Sequence, residues 1–115
     1  MARNPDPLEK DIEKKVCDHA KKLGCLVYKF TSPARRSVPD RLFIMPDGKR
    51  VFFIEFKRLG KKPSPAQAVE IAKIKAHGVC CFVVDNVQTG KFVVETNVEH
   101  GPIQTMKLSI NVDDY

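Results

Sequence analysis

The sequence lacks the features of a membrane, secreted or zinc-binding protein. No apolar run approaches the length of a membrane span, and residues 1–15 are charged and contain prolines, so we expect no signal peptide. The four cysteines include no C-x-x-C pair and the three histidines are scattered, which argues against a zinc site. We therefore expect buried, reduced thiols in a cytoplasmic protein. Repeats, low-complexity tracts and internal linkers are also missing, which indicates a single domain over residues 1–115.

A β-hairpin is the clearest structural signal that is present. Asp47-Gly48 lies between two apolar runs and predicts a two-residue turn. With that turn, Asp40 stands directly opposite Glu55, and opposed residues of an antiparallel pair share a face. Lys57 lies on the same face, because side chains alternate along a strand. Two carboxylates and a lysine should therefore converge at the open end of the hairpin.

The opposed carboxylates predict a metal site. Like charges that face each other on a sheet are destabilising unless a cation neutralises them. Hard divalent cations such as Mg²⁺ or Mn²⁺ prefer oxygen ligands, which Asp40 and Glu55 would supply, and the backbone carbonyl of Phe56 could add another. Lys57 would then hold or deprotonate an attacking water, or stabilise negative charge that develops on a phosphate.

A simpler interpretation of the same residues is structural. Asp40 could cap a strand, while Glu55 and Lys57 form an exposed ion pair on a hairpin that carries no chemistry. The agreement between hairpin register and residue chemistry favours the metal site. A second Pro-Asp pair occupies the predicted turn, so Asp47 is interpreted as a turn residue and not as a metal ligand.

A first helix is predicted near the start of the chain. Asp6-Pro7-Leu8-Glu9 marks its beginning, with Asp6 as the N-cap, and it ends at about Leu23. Glu9 projects into the apolar stripe of this helix. It either completes a capping box or lies over the sheet as a further metal or water ligand, and Glu13 at the edge of the stripe is the fallback.

A second helix is predicted from Ser64-Pro65-Ala66-Gln67 to about His77. Gln67 shares a helix face with Ile71 and Ile74, so it points inward and not to solvent. Its position is explained either by the capping box or by a role at the inner face of the helix.

The remaining segments complete an α/β order of helix, three strands, helix and strand. Val79–Val84 is predicted to be a buried strand that pairs in parallel with a neighbour, because a helical crossover precedes it. A turn at Asn86–Gly90 and a further strand at Lys91–Glu95 follow, and Met106–Val112 is a candidate strand at an edge or an interface. The other predicted strands are Cys25–Phe30, Arg41–Met45 and Val51–Lys57.

Basic residues give the chain a net charge of +6, which suggests a polyanionic partner. They form two clusters that flank the predicted metal site in sequence, where contacts to phosphate groups would be needed. Alternatively, the clusters belong to solvated loops that keep the protein soluble. The candidate phosphate contacts are Arg35 and Arg36 in the first cluster, and Arg58, Lys61 and Lys62 in the second.

The acidic motif resembles that of a known nuclease superfamily. Pro39-Asp40 with Glu55-Phe56-Lys57 resembles the signature of the PD-(D/E)xK nucleases, and Ser64-Pro65-Ala66-Gln67 is similar to a motif of their VRR-NUC branch. The resemblance covers about residues 9–84. The chain departs from the family at Ser37, where a glycine is usual, so the loop that enters the motif could differ in shape.

The resemblance implies a restriction-endonuclease-like core, with the order αβββαβ and a mixed sheet flanked by helices. It also implies a Mg²⁺- or Mn²⁺-dependent, structure-specific DNA endonuclease that hydrolyses phosphodiester bonds. The residues that it assigns to the site are the metal ligands Asp40, Glu55 and Glu9, with Lys57 and Gln67 beside the reacting water or phosphate.

Small members of this type resemble homodimeric Holliday-junction resolvases. We therefore expect a homodimer of phage or bacterial source that acts on four-way DNA junctions in the bacterial cytoplasm. The nuclease core would span about residues 6–95, with residues 96–115 as an extension that could contact a second subunit. Three alternatives stay open: a flap or other DNA nuclease of the same fold, a non-catalytic nucleic-acid-binding module, or an assembly subunit that uses the extension.

Overall fold

The computed structural model describes residues 8–32 and 37–99 of the chain. These residues form a mixed four-stranded sheet with three helices, and the predicted order αβββαβ is confirmed, followed by one more helix. None of the helices in the described ranges is long and apolar enough to cross a membrane. The elements are α1 (Glu9–Lys22), β1 (Leu26–Lys29), β2 (Arg41–Ile44), β3 (Val51–Phe56), α2 (Pro65–Ala76), β4 (Cys80–Val84) and α3 (Val87–Glu99).

The sheet has the strand order β1-β2-β3-β4. β1, β2 and β3 are antiparallel neighbours, whereas β4 runs parallel to β3, as the crossover through α2 predicts. Ile44 pairs with Val51 and Leu42 pairs with Phe53, which confirms the predicted register of the hairpin. The C-terminal ends of β3 and β4 therefore lie at the same end of the sheet as the start of β2.

The hairpin turn is wider than the two-residue turn that the sequence predicts. Met45 N donates to Arg50 O at 3.0 Å and Gly48 N donates to Met45 O at 2.8 Å, so the connection extends beyond Asp47 and Gly48 on both sides. Gly48 has a φ of +70°, which glycine adopts without steric cost. Asp47 Oδ1 accepts a hydrogen bond of 3.0 Å from Lys49 N, which confirms Asp47 as a turn residue. The register is unchanged because both turns have the same centre.

α1 and α3 pack together on one face of the sheet and enclose the main core. α1 contributes Ile12, Val16 and Ala20, each at most 1% exposed, which confirms the middle of the predicted apolar stripe, whereas Leu8 at its predicted start is 44% exposed. Phe43 and Phe52 belong to the same core and stack with ring centroids 5.0 Å apart. Leu42 and Phe53 of the hairpin project from the opposite face of the sheet, which α1 and α3 do not cover.

The cysteines serve the core as thiols. Cys17, Cys25 and Cys81 are buried, as predicted, while Cys80 is partly exposed, and all four are free. Burial raises the pKa of Cys17 to about 11 and that of Cys81 to about 12. These side chains therefore stay protonated and act as small apolar residues.

α1 begins later than the sequence predicts. Leu8 is the N-cap residue, without a hydrogen bond from its side chain, and Glu9 is the first helical residue. Glu9 therefore occupies the N1 position and not the N3 position that a capping box requires, so the capping interpretation of Glu9 was wrong. Asp6 and Pro7, at the predicted start, lie outside the described residues.

A third helix stands where the sequence predicts a turn at Asn86–Gly90 and a strand at Lys91–Glu95, so both predictions were wrong. Asn86 caps this helix, because its Oδ1 accepts a hydrogen bond of 2.7 Å from Thr89 N. The run of β-branched residues that favours a strand is overruled by the cap and by the packing of α3 on α1.

Gly90 explains why the turn prediction failed. An isolated glycine predicts a turn, whereas Gly90 is buried within α3 against α1. A Cβ added at Gly90 would lie 2.4 Å from Val16 Cγ2, so only glycine fits this contact without a shift. Gly90 is therefore a packing residue that allows the two helices to approach. The candidate strand Met106–Val112 lies outside the described residues.

Candidate active site

The end of the sheet opposite the hairpin turn holds both carboxylates of the predicted metal site. Phe30 N donates to Asp40 O at 2.7 Å, so Asp40 continues the pairing of β1 with β2. One further step of the β2–β3 register places Asp40 opposite Glu55, and directly opposed residues have Cβ atoms about 5 Å apart. Asp40 is exposed, whereas Glu55 is 7% exposed. The two carboxylates thus share one face, one at the solvent and one beneath the surface.

Lys57 forms an ion pair with Glu55. Its Nζ lies 3.4 Å from Glu55 Oε2, and the two side chains are 17% and 10% exposed, respectively. The pair is largely buried, which contradicts the alternative of an exposed ion pair on a plain hairpin. Lys57 N also donates to Val84 O at 2.9 Å, so the pairing with β4 fixes the backbone that carries the lysine.

The surroundings of Glu55 perturb the pKa of its carboxyl group. Burial raises the pKa of Glu55, and Lys57 opposes this rise through its charge and its hydrogen bond. The negative charges of Asp40 and Glu9 raise the pKa further. A carboxyl group perturbed by burial and by specific neighbouring charges is typical of a functional site.

Gln67 connects α2 to Glu55. Gln67 N donates to Ser64 Oγ at 3.1 Å and its Oε1 accepts from Ser64 N at 2.9 Å, which completes a capping box. Gln67 Nε2 donates to Glu55 Oε2 at 2.9 Å. The capping contact and the inward-facing contact that the sequence left as alternatives are therefore both present, made by different atoms of one side chain.

The two helical glutamates have different surroundings. Glu9 is exposed at the N-terminal end of α1, so the prediction that it projects into the apolar stripe was wrong, but its charge reaches Glu55. Glu13, the fallback ligand, is half-buried and forms an ion pair between its Oε2 and Arg41 Nε. Because Arg41 already neutralises Glu13, Glu9 is the better candidate for a ligand contributed by α1.

The donor set suits a hard divalent cation with open coordination positions. Mg²⁺ is often bound by one or two carboxylates and completes its shell with waters and phosphate oxygens. Asp40 and Glu55 supply two carboxylates, whereas Phe56 is 2% exposed and could contribute only its backbone carbonyl. Within residues 8–32 and 37–99, no three side chains of His, Cys, Asp or Glu are grouped closely enough to hold a metal ion by themselves. The residues therefore fit a site completed by substrate and water, not a closed structural metal site.

The second basic cluster lies directly after the site in the chain. Arg58, Lys61 and Lys62 are exposed in the loop that follows β3, and therefore lie at the end of the sheet that carries Lys57. The other two predicted phosphate contacts, Arg35 and Arg36, lie outside the described residues. The structure thus brings one of the two clusters to the candidate site.

Asp85 holds this basic loop and was missed by the sequence interpretation. Gly60 N donates to Asp85 Oδ2 at 2.9 Å, and this hydrogen bond is the main reason why the pKa of Asp85 is lowered. A signal was available: Asp85 is a polar residue directly after a strand parallel to β3, and the C-terminal ends of parallel neighbours lie at one edge.

Comparisons with known proteins identify the family. No protein-family model matches the chain. The chain is 40% identical over 89 residues to "Putative nuclease p44" of Acyrthosiphon pisum secondary endosymbiont phage 1, an alignment that covers 77% of this chain and 95% of the phage protein. A solved structure named "VRR_NUC domain" superposes with a TM-score of 0.70 at 31% identity, covering 76% of this chain and 94% of the other, and a "VRR_NUC domain protein" shares the fold with a TM-score of 0.62 at 17% identity, covering 80% and 88%. The chain therefore belongs to the VRR-NUC family of PD-(D/E)xK nucleases.

Proposed function

We propose that this protein is a divalent-metal-dependent endonuclease that hydrolyses phosphodiester bonds in branched DNA, with the four-way Holliday junction as its preferred substrate. The observation that carries the proposal is the buried Glu55 carboxylate, held by Lys57 and Gln67 on the face that also presents Asp40. Buried charge is destabilising in a scaffold, so its presence at an open sheet end is best explained by chemistry. The net charge of +6 suits a polyanionic substrate.

The cation is the cofactor of this proposal. Mg²⁺ or Mn²⁺, held by Asp40 and Glu55 with Glu9 and the Phe56 carbonyl as further candidate ligands, would act as a Lewis acid and lower the pKa of a bound water. Within the chain, the hydrogen bond from Gln67 Nε2 to Oε2 orients the Glu55 carboxylate.

Lys57 is the proposed catalytic group of the chain. Its ammonium group lies 3.4 Å from Glu55 Oε2, where it can orient the attacking water or stabilise charge that develops on the phosphate. The exposed side chains of Arg58, Lys61 and Lys62 would contact neighbouring phosphates and set the register of the DNA without reading bases.

Symmetry would supply the preference for four-way junctions. A two-fold homodimer presents two equivalent active sites, which matches the pseudo-symmetry of a four-way junction. We infer that residues 100–115 contribute to the contact between subunits. The core is extended from the predicted residue 95 to Glu99, because α3 runs to that residue and Asn97 within it is buried. The proposed place of action is the cytoplasm of a bacterial cell, including a cell infected by a phage that encodes the protein.

Cleavage of a panel of labelled DNAs tests the proposal. Four-way junction, flap, splayed and linear duplex substrates are incubated with Mg²⁺, Mn²⁺ or EDTA, and wild type is compared with Asp40→Asn and Lys57→Ala. Asp47→Asn is the matched control, because it removes a carboxylate from the turn at the far end of the same hairpin.

The panel distinguishes the proposed function from its alternatives. Symmetric, metal-dependent cleavage of the junction by wild type and Asp47→Asn, lost in the two site variants, would support the proposal. Cleavage confined to flaps or duplex ends would retain the site and exclude the resolvase. Binding without cleavage of any substrate would favour a non-catalytic nucleic-acid-binding module.

A further inference from the structure

Part of the sheet face that carries the site is open to solvent. α2 packs over β4, whereas β1 is the edge strand at the other side of the sheet. Leu26, Tyr28 and Phe30 alternate along β1 and the residue after it, and they are 54%, 53% and 39% exposed. The two aromatic residues of this row, Tyr28 and Phe30, are of the type that is enriched in binding surfaces.

The sheet register places two of these side chains beside the candidate active site. Tyr28 pairs with Leu42, which pairs with Phe53. One step along the strands, Phe30 stands beside Asp40, to which it is joined by the 2.7 Å hydrogen bond from Phe30 N to Asp40 O. Because directly paired residues share a face, Tyr28 and Phe30 project from the face that carries the carboxylates.

The ring of Phe30 is fixed by a second aromatic ring. Phe30 and Phe53 meet edge to face, with centroids 5.6 Å apart and planes at 75°. Strands are about 4.8 Å apart, so Phe30 lies about 5 Å from the strand of Asp40 and about 10 Å from that of Glu55. This separation is short enough for a base to rest on the rings while the phosphate next to it reaches the carboxylates.

We propose that Tyr28 and Phe30 form a stacking platform for unpaired nucleobases at the branch of the DNA substrate. This inference rests on the proposed nuclease function and assigns the part of the surface that recognises unpaired DNA. Aromatic side chains stack on any base, which gives affinity for single strands without sequence preference. Tyr28 and Phe30 would therefore favour branched DNA, in which bases beside the scissile bond can leave the duplex, over linear duplex.

Position and charge favour a nucleobase over a protein as the occupant. A protein seated on Phe30 would also cover Asp40, its direct neighbour in the register, and so close the site to a phosphodiester. The exposed Lys29 adds positive charge to the same sheet edge from the opposite face, because side chains alternate along β1. The aromatic side chains lie at the site end of β1, whereas the aliphatic Leu26 lies at the hairpin-turn end.

Binding without catalysis tests the platform. A splayed DNA with 2-aminopurine in one unpaired arm is titrated in EDTA, and fluorescence and affinity are compared with those for linear duplex. The variants are Tyr28→Leu and Phe30→Leu, which keep apolar area but remove the ring, and Tyr28→Phe, which keeps the ring. Leu26→Ala is the matched control on the same strand and face. For each variant, light scattering reports the mass of the particle in solution and thermal melting reports folding.

The leucine variants are expected to bind splayed DNA about 10-fold more weakly than wild type, as loss of one stacked base predicts, and to lose the fluorescence change. Their affinity for duplex should be unchanged, and Tyr28→Phe and Leu26→Ala should bind both DNAs within about twofold of wild type. Phe30→Leu also loses its contact with Phe53 and could be unstable. If the particle mass and the melting temperature of Tyr28→Leu are unchanged, its weaker binding is not caused by loss of folding or of subunit association.

Two results would overturn the platform. Wild-type affinity of Tyr28→Leu for splayed DNA would show that no base stacks there. A lower mass of the particle in solution for Tyr28→Leu and Leu26→Ala, with equal loss of affinity for duplex and splayed DNA, would identify the face as a contact between copies of the chain. The proposed nuclease function is judged separately. If the wild-type protein stacks the base in EDTA but does not cleave DNA with Mg²⁺, the nuclease function is refuted and the platform is retained. If the wild-type protein binds no DNA, both proposals are refuted.

Discussion

Gln67 Nε2 donates a hydrogen bond of 2.9 Å to Glu55 Oε2, and this bond ties the start of α2 to the end of β3. The same side chain helps to cap α2, because its Oε1 accepts a hydrogen bond of 2.9 Å from Ser64 N. The bond from Gln67 N to Ser64 Oγ does not involve the amide group, so substitution of Ser64 and substitution of Gln67 can separate the effect on stability from the effect on catalysis.

Gln67→Met is expected to reduce DNA cleavage by about 10- to 100-fold, the usual effect of losing a partner that orients a metal ligand. Methionine keeps the length of the side chain but cannot donate to Glu55. Ser64→Ala is the matched control: it should lower the free energy of unfolding by about 1 kcal/mol through the lost cap, with little change in cleavage rate. Cleavage rates and urea denaturation of both variants check the prediction, and equal cleavage defects in the two would contradict it.

Glu55→Gln is expected to abolish cleavage and to raise the melting temperature of the metal-free protein at neutral pH. Burial raises the pKa of Glu55 in the folded protein above its value in the unfolded chain. The stability that Glu55 contributes therefore decreases as the pH rises from the unfolded pKa through the folded pKa. Above that pH the folded protein carries a buried charge, which glutamine removes. Thermal melting in EDTA across pH 4–8 is the measurement, with Asp47→Asn as a surface control, and a lower melting temperature of Glu55→Gln at neutral pH would refute the account.

Lys57→Met is expected to shift the pKa of Glu55 still higher. Lys57 lowers that pKa through its charge and its hydrogen bond, in opposition to burial, so removal of the ammonium group leaves burial uncompensated. Titration of the Glu55 carboxyl carbon by NMR in metal-free wild type and variant measures the shift directly. A lower pKa in Lys57→Met would mean that the two side chains do not interact in solution as their 3.4 Å separation indicates.

Gly90→Ala is expected to destabilise the protein by about 1–3 kcal/mol, the usual effect of overpacking a core. The added methyl group would lie 2.4 Å from Val16 Cγ2. In a Val16→Ala background the same substitution should be less destabilising, because the space has been vacated, and a double-mutant cycle by urea denaturation measures the difference. Additive effects of the two substitutions would show that α3 does not approach α1 at this point.

The sequence predicts the hairpin correctly because its signals are local and agree. Asp47-Gly48 defines the centre of the turn, and side-chain alternation then determines which residues face each other, even though the turn itself is wider than expected. The convergence of Asp40, Glu55 and Lys57 on one face follows from that register alone.

The features that the sequence did not reveal depend on contacts between distant segments. Gly90 is required by the proximity of Val16, far away in sequence, and no local pattern distinguishes such a glycine from one in a turn. The ion pair of Glu13 with Arg41 joins α1 to β2 in the same way. In contrast, the cap at Asn86 is a local signal that was available and that the β-branched residues of α3 obscured.

Calorimetric titration of Mn²⁺ into the protein tests the central claim, that Asp40 and Glu55 hold the divalent cation. Wild type and Asp47→Asn should bind Mn²⁺ with the same affinity, whereas Asp40→Asn and Glu55→Gln should lose binding by at least about 10-fold, since each removes one of two carboxylate ligands. Wild-type affinity in Asp40→Asn and Glu55→Gln, or its loss in Asp47→Asn, would contradict the assignment of the site.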